Sequence, residues 1–179
     1  MNTYDHYKIV LITVLFFVMG TASILAQQSE QPIKIGIYDS RAIAIAYANS
    51  DIFQKYMGNL MAEYNKAKEE KKAELVKELE KEGPFQQQLL QQQSFSNGTI
   101  SNIIEKIKDK LPGIAQNAGV KIIISKWELS YLDPSIETVD VTNQMIGLFN
   151  PTEKALKWIE DIQKQNPTPI DKLKMDSNE

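Results

Sequence analysis

Few side chains in this sequence could do covalent or acid–base chemistry. The chain holds one histidine, His6, and no cysteine. Thiolate nucleophiles, Ser-His triads and ordinary zinc sites all need sulfur or imidazole, so those chemistries have almost nothing to work with. The 23 Asp and Glu residues could still act in pairs as acid and base, or gather around Ca²⁺. No stretch has EF-hand spacing, no Gly-rich loop is placed to cradle a phosphate, and no conspicuous acidic cluster forms on one face. The expectation is a non-enzyme with no cofactor and no metal.

His6 also sits in a segment that reads as temporary. After a polar head containing Lys8, residues Ile9 to Met19 are almost wholly apolar; small residues follow at 20–23, and Ala26 precedes the polar Gln27-Gln28-Ser29-Glu30. That order is the pattern of a secretory signal peptide, 1–26, which leaves a mature chain of about 150 residues outside the cytoplasm. The alternative is a retained anchor, since Ile9 to Ala26 is about long enough to span a bilayer; the small exit residues favour cleavage, with no stable membrane insertion afterwards. Charged residues make up 24% and the net charge is −3, so the basic footprint of a nucleic-acid binder is missing.

The elements follow from periodicity. Ile33 to Asp39 alternates as a strand, and the Ala- and Ile-rich 42–48 suggests a short helix or turn beside it. Asn49-Ser50-Asp51 offers caps for a helix predicted over 52–82, roughly 45 Å long. Phe53, Met57, Leu60, Tyr64 and Ala67 take alternating steps of four and three, and Leu75, Val76 and Leu79 resume that seam beyond a solvated charge run at 68–72. Gly83-Pro84 is expected to break the helix, leaving the Gln-rich 86–93 and Phe95 at a tip. A return limb over 99–118 carries Ile100, Ile104, Ile107, Leu111, Ile114 and Ala118 at heptad spacing, with a kink at Pro112 and a stop at Gly119. Val120 to Ser125 is a second strand, and Trp127 to Tyr131 reads as its hairpin or bent partner. Thr142 is a candidate cap for a short helix, and Asn150-Pro151-Thr152-Glu153 starts a last one.

These readings add up to an α+β fold. A small β-body (33–50 and 120–150) carries a projecting antiparallel helical hairpin (52–118), followed by a C-terminal helix and mobile tail (151–179). So few short strands cannot close their own edges, which points to a homo-oligomer.

The layout resembles the Skp/OmpH family of exported chaperones. The match rests on Lys34-Ile35-Gly36-Ile37-Tyr38-Asp39 and on a second block, Ala118 to Ser125 through Tyr131 to Val139-Asp140-Val141-Thr142. It covers roughly 33–150, with the arms shorter than in the family, the chain mildly acidic, and the tip rich in Gln. The resemblance implies a trimer whose strands form the body, here Ile35, Ile37, Ile122 and Ile124. It also implies arms that hold unfolded outer-membrane proteins without ATP, with no catalytic residue. Tyr56, Leu60, Tyr64, Leu89, Leu90 and Phe95 are the expected client contacts; for the first three, packing within the helical seam is the competing role. The second functional class is an oligomeric envelope scaffold with one dedicated partner and no chaperone activity.

Overall fold

Helix α1, Ser40–Ala48, is the most deeply enclosed helix of the unit formed by 33–179, and Ser40 to Tyr47 are all buried. A helix apolar on every side can only be stable when packed on every side. In the computed structural model, which describes residues 32–173, the partners of α1 are the other helices of the body. Its alanines, Ala42, Ala44 and Ala46, are wholly inaccessible and let neighbouring helices approach closely. The expected signal segment 1–26 lies outside the described residues, as does the end of the tail.

The remaining elements, in chain order, are β1 (Ile35–Tyr38) before α1, then α2 (Asp51–Glu69), α3 (Ala73–Phe95), α4 (Ser101–Ile104), α5 (Leu111–Ala118), β2 (Ile122–Ser125), β3 (Thr138–Asp140), α6 (Thr142–Gly147) and α7 (Glu153–Gln163). Helices dominate, and the strands form one small sheet in the order β2-β1-β3. Both pairings are parallel, with Ile35 beside Ile122 and Thr138, and Ile37 beside Ile124 and Asp140. The predicted strand partner at Trp127 to Tyr131 is therefore corrected: that stretch is turn and irregular structure, and β3 joins the far side of β1 instead. Gly36 in the central strand is needed for closeness, because a Cβ there would meet Val120 Cγ2 at 3.1 Å and the Ile122 carbonyl at 3.2 Å.

Successive side chains of a strand point to opposite faces. Tyr38, Ser125, Ile123 and Val139 share the face turned to the core. Ile35, Ile37, Ile122 and Ile124 share the other face; three are half-buried and Ile122 is 49% exposed.

The helix limits depart from expectation in one consequential way. The chain turns at Glu70 to Lys72, inside the charge run, and α3 continues through Gly83 and Pro84 to Phe95. Lys71 takes a left-handed φ of 56°, and the Lys72 N–H bonds back to the Ala67 carbonyl at 2.9 Å, which closes α2 without a glycine. Lys66 and Lys68 in the last turn of α2 oppose the negative end of its dipole. Pro84 lies in the interior of α3, exposed to solvent. It lacks an N–H and so strips one intrahelical bond from the Glu80 carbonyl. Pro84→Ala is expected to stabilise the fold by about 2 kcal/mol, an interior-proline cost of about 3 less up to about 1 for the freer unfolded chain; urea unfolding followed by circular dichroism measures it.

The expected return limb is likewise not a long helix. Residues 99–118 form the short helices α4 and α5, and Ile100, Ile103, Ile107 and Ile114 enter the body's core. Heptad spacing marks a buried stripe but does not say which element it meets. The C-terminal helix, set apart at 151–179 on sequence, is part of the same core through Ile159 and Ile162. It is capped by Thr152, whose side chain accepts the Ala155 N–H, and the Thr168 N–H donates to the Phe95 carbonyl at 2.8 Å.

Candidate functional site

Helices α2 and α3 are tied by side-chain hydrogen bonds. The Tyr56 hydroxyl donates to Glu82 at 2.9 Å and the Tyr64 hydroxyl to Glu80 at 3.1 Å. Burial and the adjacent Glu82 carboxylate push the Tyr56 phenol up to about 12. Near the body, Tyr47 holds Phe53 and Phe149 edge-on, at centroid distances of 5.3 and 5.9 Å, which fixes the start of α2 to the core.

Between these ties the two helices leave apolar grooves open. Leu60 and Tyr64, with Met57, Met61 and Leu79, line one of about 200 Å³. Leu90, with Phe53, Met57 and Pro84, lines another of about 460 Å³. Gly83 borders both, and a side chain added there would meet nothing within 4 Å, so the notch is open to a visitor. Met61 is 59% exposed and Phe85 55%, so each helix also displays a large apolar side chain.

The six expected contact residues therefore separate. Leu60, Tyr64 and Leu90 line the grooves between α2 and α3; Tyr56 is half-buried and tied to Glu82. Leu89 borders a shallow dent with Phe85, Gln88 and Gln92. Phe95 is 47% exposed at the end of α3, beside α1 and α7. The tip expected for Leu89, Leu90 and Phe95 is corrected: the turn between the helices is at Glu70 to Lys72, and these three lie in the half of α3 far from it. The Gln-rich patch is partly structural, since Gln93 is buried and donates to the Thr99 carbonyl at 2.9 Å and Asn102 Oδ1 at 2.6 Å. Sequence reading places Met57 in the seam without singling it out as a contact, takes Gly83 only as a helix breaker, and passes over Met61. Two methionines one helical turn apart, with a glycine in a helix that has no need of one, were the available signal.

The most deeply buried charges serve the fold. Asp39 is 1% exposed and Arg41 wholly inaccessible. The Asp39 carboxylate caps α1 at the Arg41 N–H and accepts Arg41 Nη2 at 2.9 Å, Trp127 Nε1 at 2.9 Å and Lys126 Nζ at 3.0 Å. Arg41 and Lys126 also approach the Trp127 ring, at 4.8 and 4.6 Å from its centroid. Burial pushes Asp39 up, but the donors from Arg41, Trp127 and Lys126 outweigh it and hold the carboxyl at about 2. A carboxylate so surrounded by donors has no room to take a proton from a substrate. Ile35, Ile37, Ile122 and Ile124, expected in an oligomeric body, lie together on the open face of the sheet.

Among the described residues, no group of three or more Asp, Glu, His or Cys could hold a metal ion, and no helix is long and apolar enough to cross a membrane. No protein-family model, no curated protein and no solved structure matches the chain.

Proposed function

We propose that this chain is an exported, ATP-independent binding protein that holds unfolded polypeptide in the apolar grooves between α2 and α3. The observation that carries the reading is the pair of open grooves that meet at Met57 and Gly83. Methionine suits such a role because its unbranched, polarisable side chain adapts to many apolar shapes. The two helices are read as an antiparallel hairpin projecting from the body, a layout in keeping with the resemblance to the exported Skp/OmpH chaperones. Export to the periplasm or another extracytoplasmic space rests on the apolar run before Ala26. The chain would act as a homo-oligomer, a trimer on the resemblance, joined through the isoleucine face of the sheet. All-parallel sheets are normally covered on both faces, and here helices cover one.

Aggregation assays test the reading. Met57→Ser, Leu60→Ser and Met61→Ser combined should abolish suppression of aggregation of unrelated unfolded proteins, outer-membrane proteins included. The wild-type chain should suppress it at near-stoichiometric ratios. Leu60 is half-buried and Met61 exposed, so secondary structure by circular dichroism should persist. Unchanged suppression by the triple variant rejects the grooves as the binding surface, and activity towards a single partner only supports a dedicated scaffold.

A further inference from the structure

A separate pocket lies where α7 and the segment after it fold against α1 and the end of α3. Its volume is about 420 Å³, within the usual range for a site that takes one defined group. Ile45, Ala48 and Ile162 make apolar walls, and the rings of Phe95 and Trp158 are each about half exposed at 47% and 46%. It shares no lining residue with the arm grooves.

Among the described residues that line the pocket, Asp161 is the one that carries a charge, and Asn49, Ser94 and Gln165 add neutral polar groups. Asn49 donates an amide N–H to the Ile45 carbonyl at 2.8 Å, and Gln165 donates one to the Asp161 carbonyl at 3.3 Å. Each bond holds its amide in place with one of its two N–H groups and leaves the amide oxygen as an acceptor for a ligand. Lys164 reaches Asp161 at 3.5 Å but holds Glu160 more closely, at 2.9 Å, so the Asp161 charge is only partly claimed. The Trp158 ring already accepts a cation, since Lys154 Nζ sits 4.8 Å from its centroid, and Lys154 does not line the pocket. Aromatic faces, acceptor oxygens and a carboxylate around an apolar throat complement a positive charge on a hydrocarbon stem.

We infer that this pocket binds a long basic side chain, arginine above all, presented by a polypeptide partner. The methylene stem lies along Ile45 and Ile162, and the guanidinium plane meets the Phe95 and Trp158 rings with Asp161 at its edge. Arginine is favoured over lysine because its flat, weakly hydrated cation stacks on rings and loses less on desolvation. The inference is independent of the arm reading, because the pocket and the grooves can be disabled separately.

Isothermal titration of the full chain with blocked hexapeptides tests it, the peptides differing at one position as arginine, norleucine or glutamate. The arginine peptide should bind about five- to tenfold more tightly than the norleucine peptide, the combined effect expected of a ring contact and a partly exposed ion pair. Asp161→Asn, at an exposed position, should remove most of that advantage while leaving norleucine binding unchanged. Trp158→Leu should weaken arginine binding in a chain whose melting temperature is unaltered. Norleucine binding as tightly as arginine, arginine binding insensitive to Asp161→Asn, or no binding by any peptide would each overturn the assignment.

Discussion

Arg41→Met should lower the stability of the fold by about 3–5 kcal/mol, because it leaves the buried Asp39 carboxylate without its main counter-charge. That is a large share of what a domain of this size commands, so a substantial unfolded fraction at 37 °C is expected. Thermal melting followed at 222 nm measures the loss. The same pair gives the fold an acid limit. The folded pKa of Asp39, about 2, lies below its ordinary value of 3.8, so the native state takes up its proton less readily than the unfolded chain. The stabilisation is fully present above about pH 4 and is lost as the pH falls towards 2, amounting to about 2 kcal/mol. Melting temperature should therefore change little with this group between pH 7 and 5 and fall below pH 4. Asp39→Asn should be less stable at pH 7 and lack that portion of the acid fall. An acid profile identical in wild type and Asp39→Asn would show that another group sets the limit.

The second large effect concerns assembly. If the proposed self-association runs through the sheet, Ile37→Ser with Ile124→Ser should yield monomers, with loss of association by at least about a thousandfold. Each isoleucine removed from an interface forfeits about 1.5–3 kcal/mol of burial, and each copy carries both. Both lie on the open face of the sheet, away from Tyr38, Ile123 and Val139, so the core beneath is untouched. Multi-angle light scattering of the wild type and the variant at micromolar concentration separates the cases. A wild-type chain that is already a folded, monodisperse monomer removes the self-association proposal. A variant that stays oligomeric moves the interface to another face.

Some of this architecture could be read one residue at a time. The period-two stretch before Asp39 and the alanine-rich α1 each depend on neighbours within a few positions, whereas the cap of α7, expected at Asn150 with Pro151 opening the helix, falls two residues later at Thr152. The seam residues Phe53, Leu60 and Tyr64 were likewise legible as one stripe, because a helix repeats its face every three to four residues. Leu90 and Phe95 were legible as apolar anchors among glutamines, though not in their positions.

Position is where local chemistry stopped being decisive. Gly83-Pro84 is the strongest helix-breaking pair in the chain, yet α3 runs through it. The break comes instead at Lys71, a residue with no intrinsic preference for a left-handed backbone. The stretch that lacks apolar residues cannot be packed, so the turn falls there, and the bonds from Tyr56 to Glu82 and from Tyr64 to Glu80 tie α3 to α2 just before its proline. The isoleucine seam of 100–114 was visible, but its partner is the body's core, a choice made by the whole fold.

The sequence by itself determined the absence of thiol and imidazole chemistry from residues 7 to 179, the apolar run from Ile9 to Met19, and the stripes that had to be covered. Only the tertiary structure brought Trp127 to Asp39 across 88 residues, laid four isoleucines on one open face and set Trp158 and Phe95 around one pocket. A stripe is a property of neighbours along the chain, whereas a pocket needs residues distant in sequence to meet. Which of them meet is decided by competition among all the buried surfaces at once.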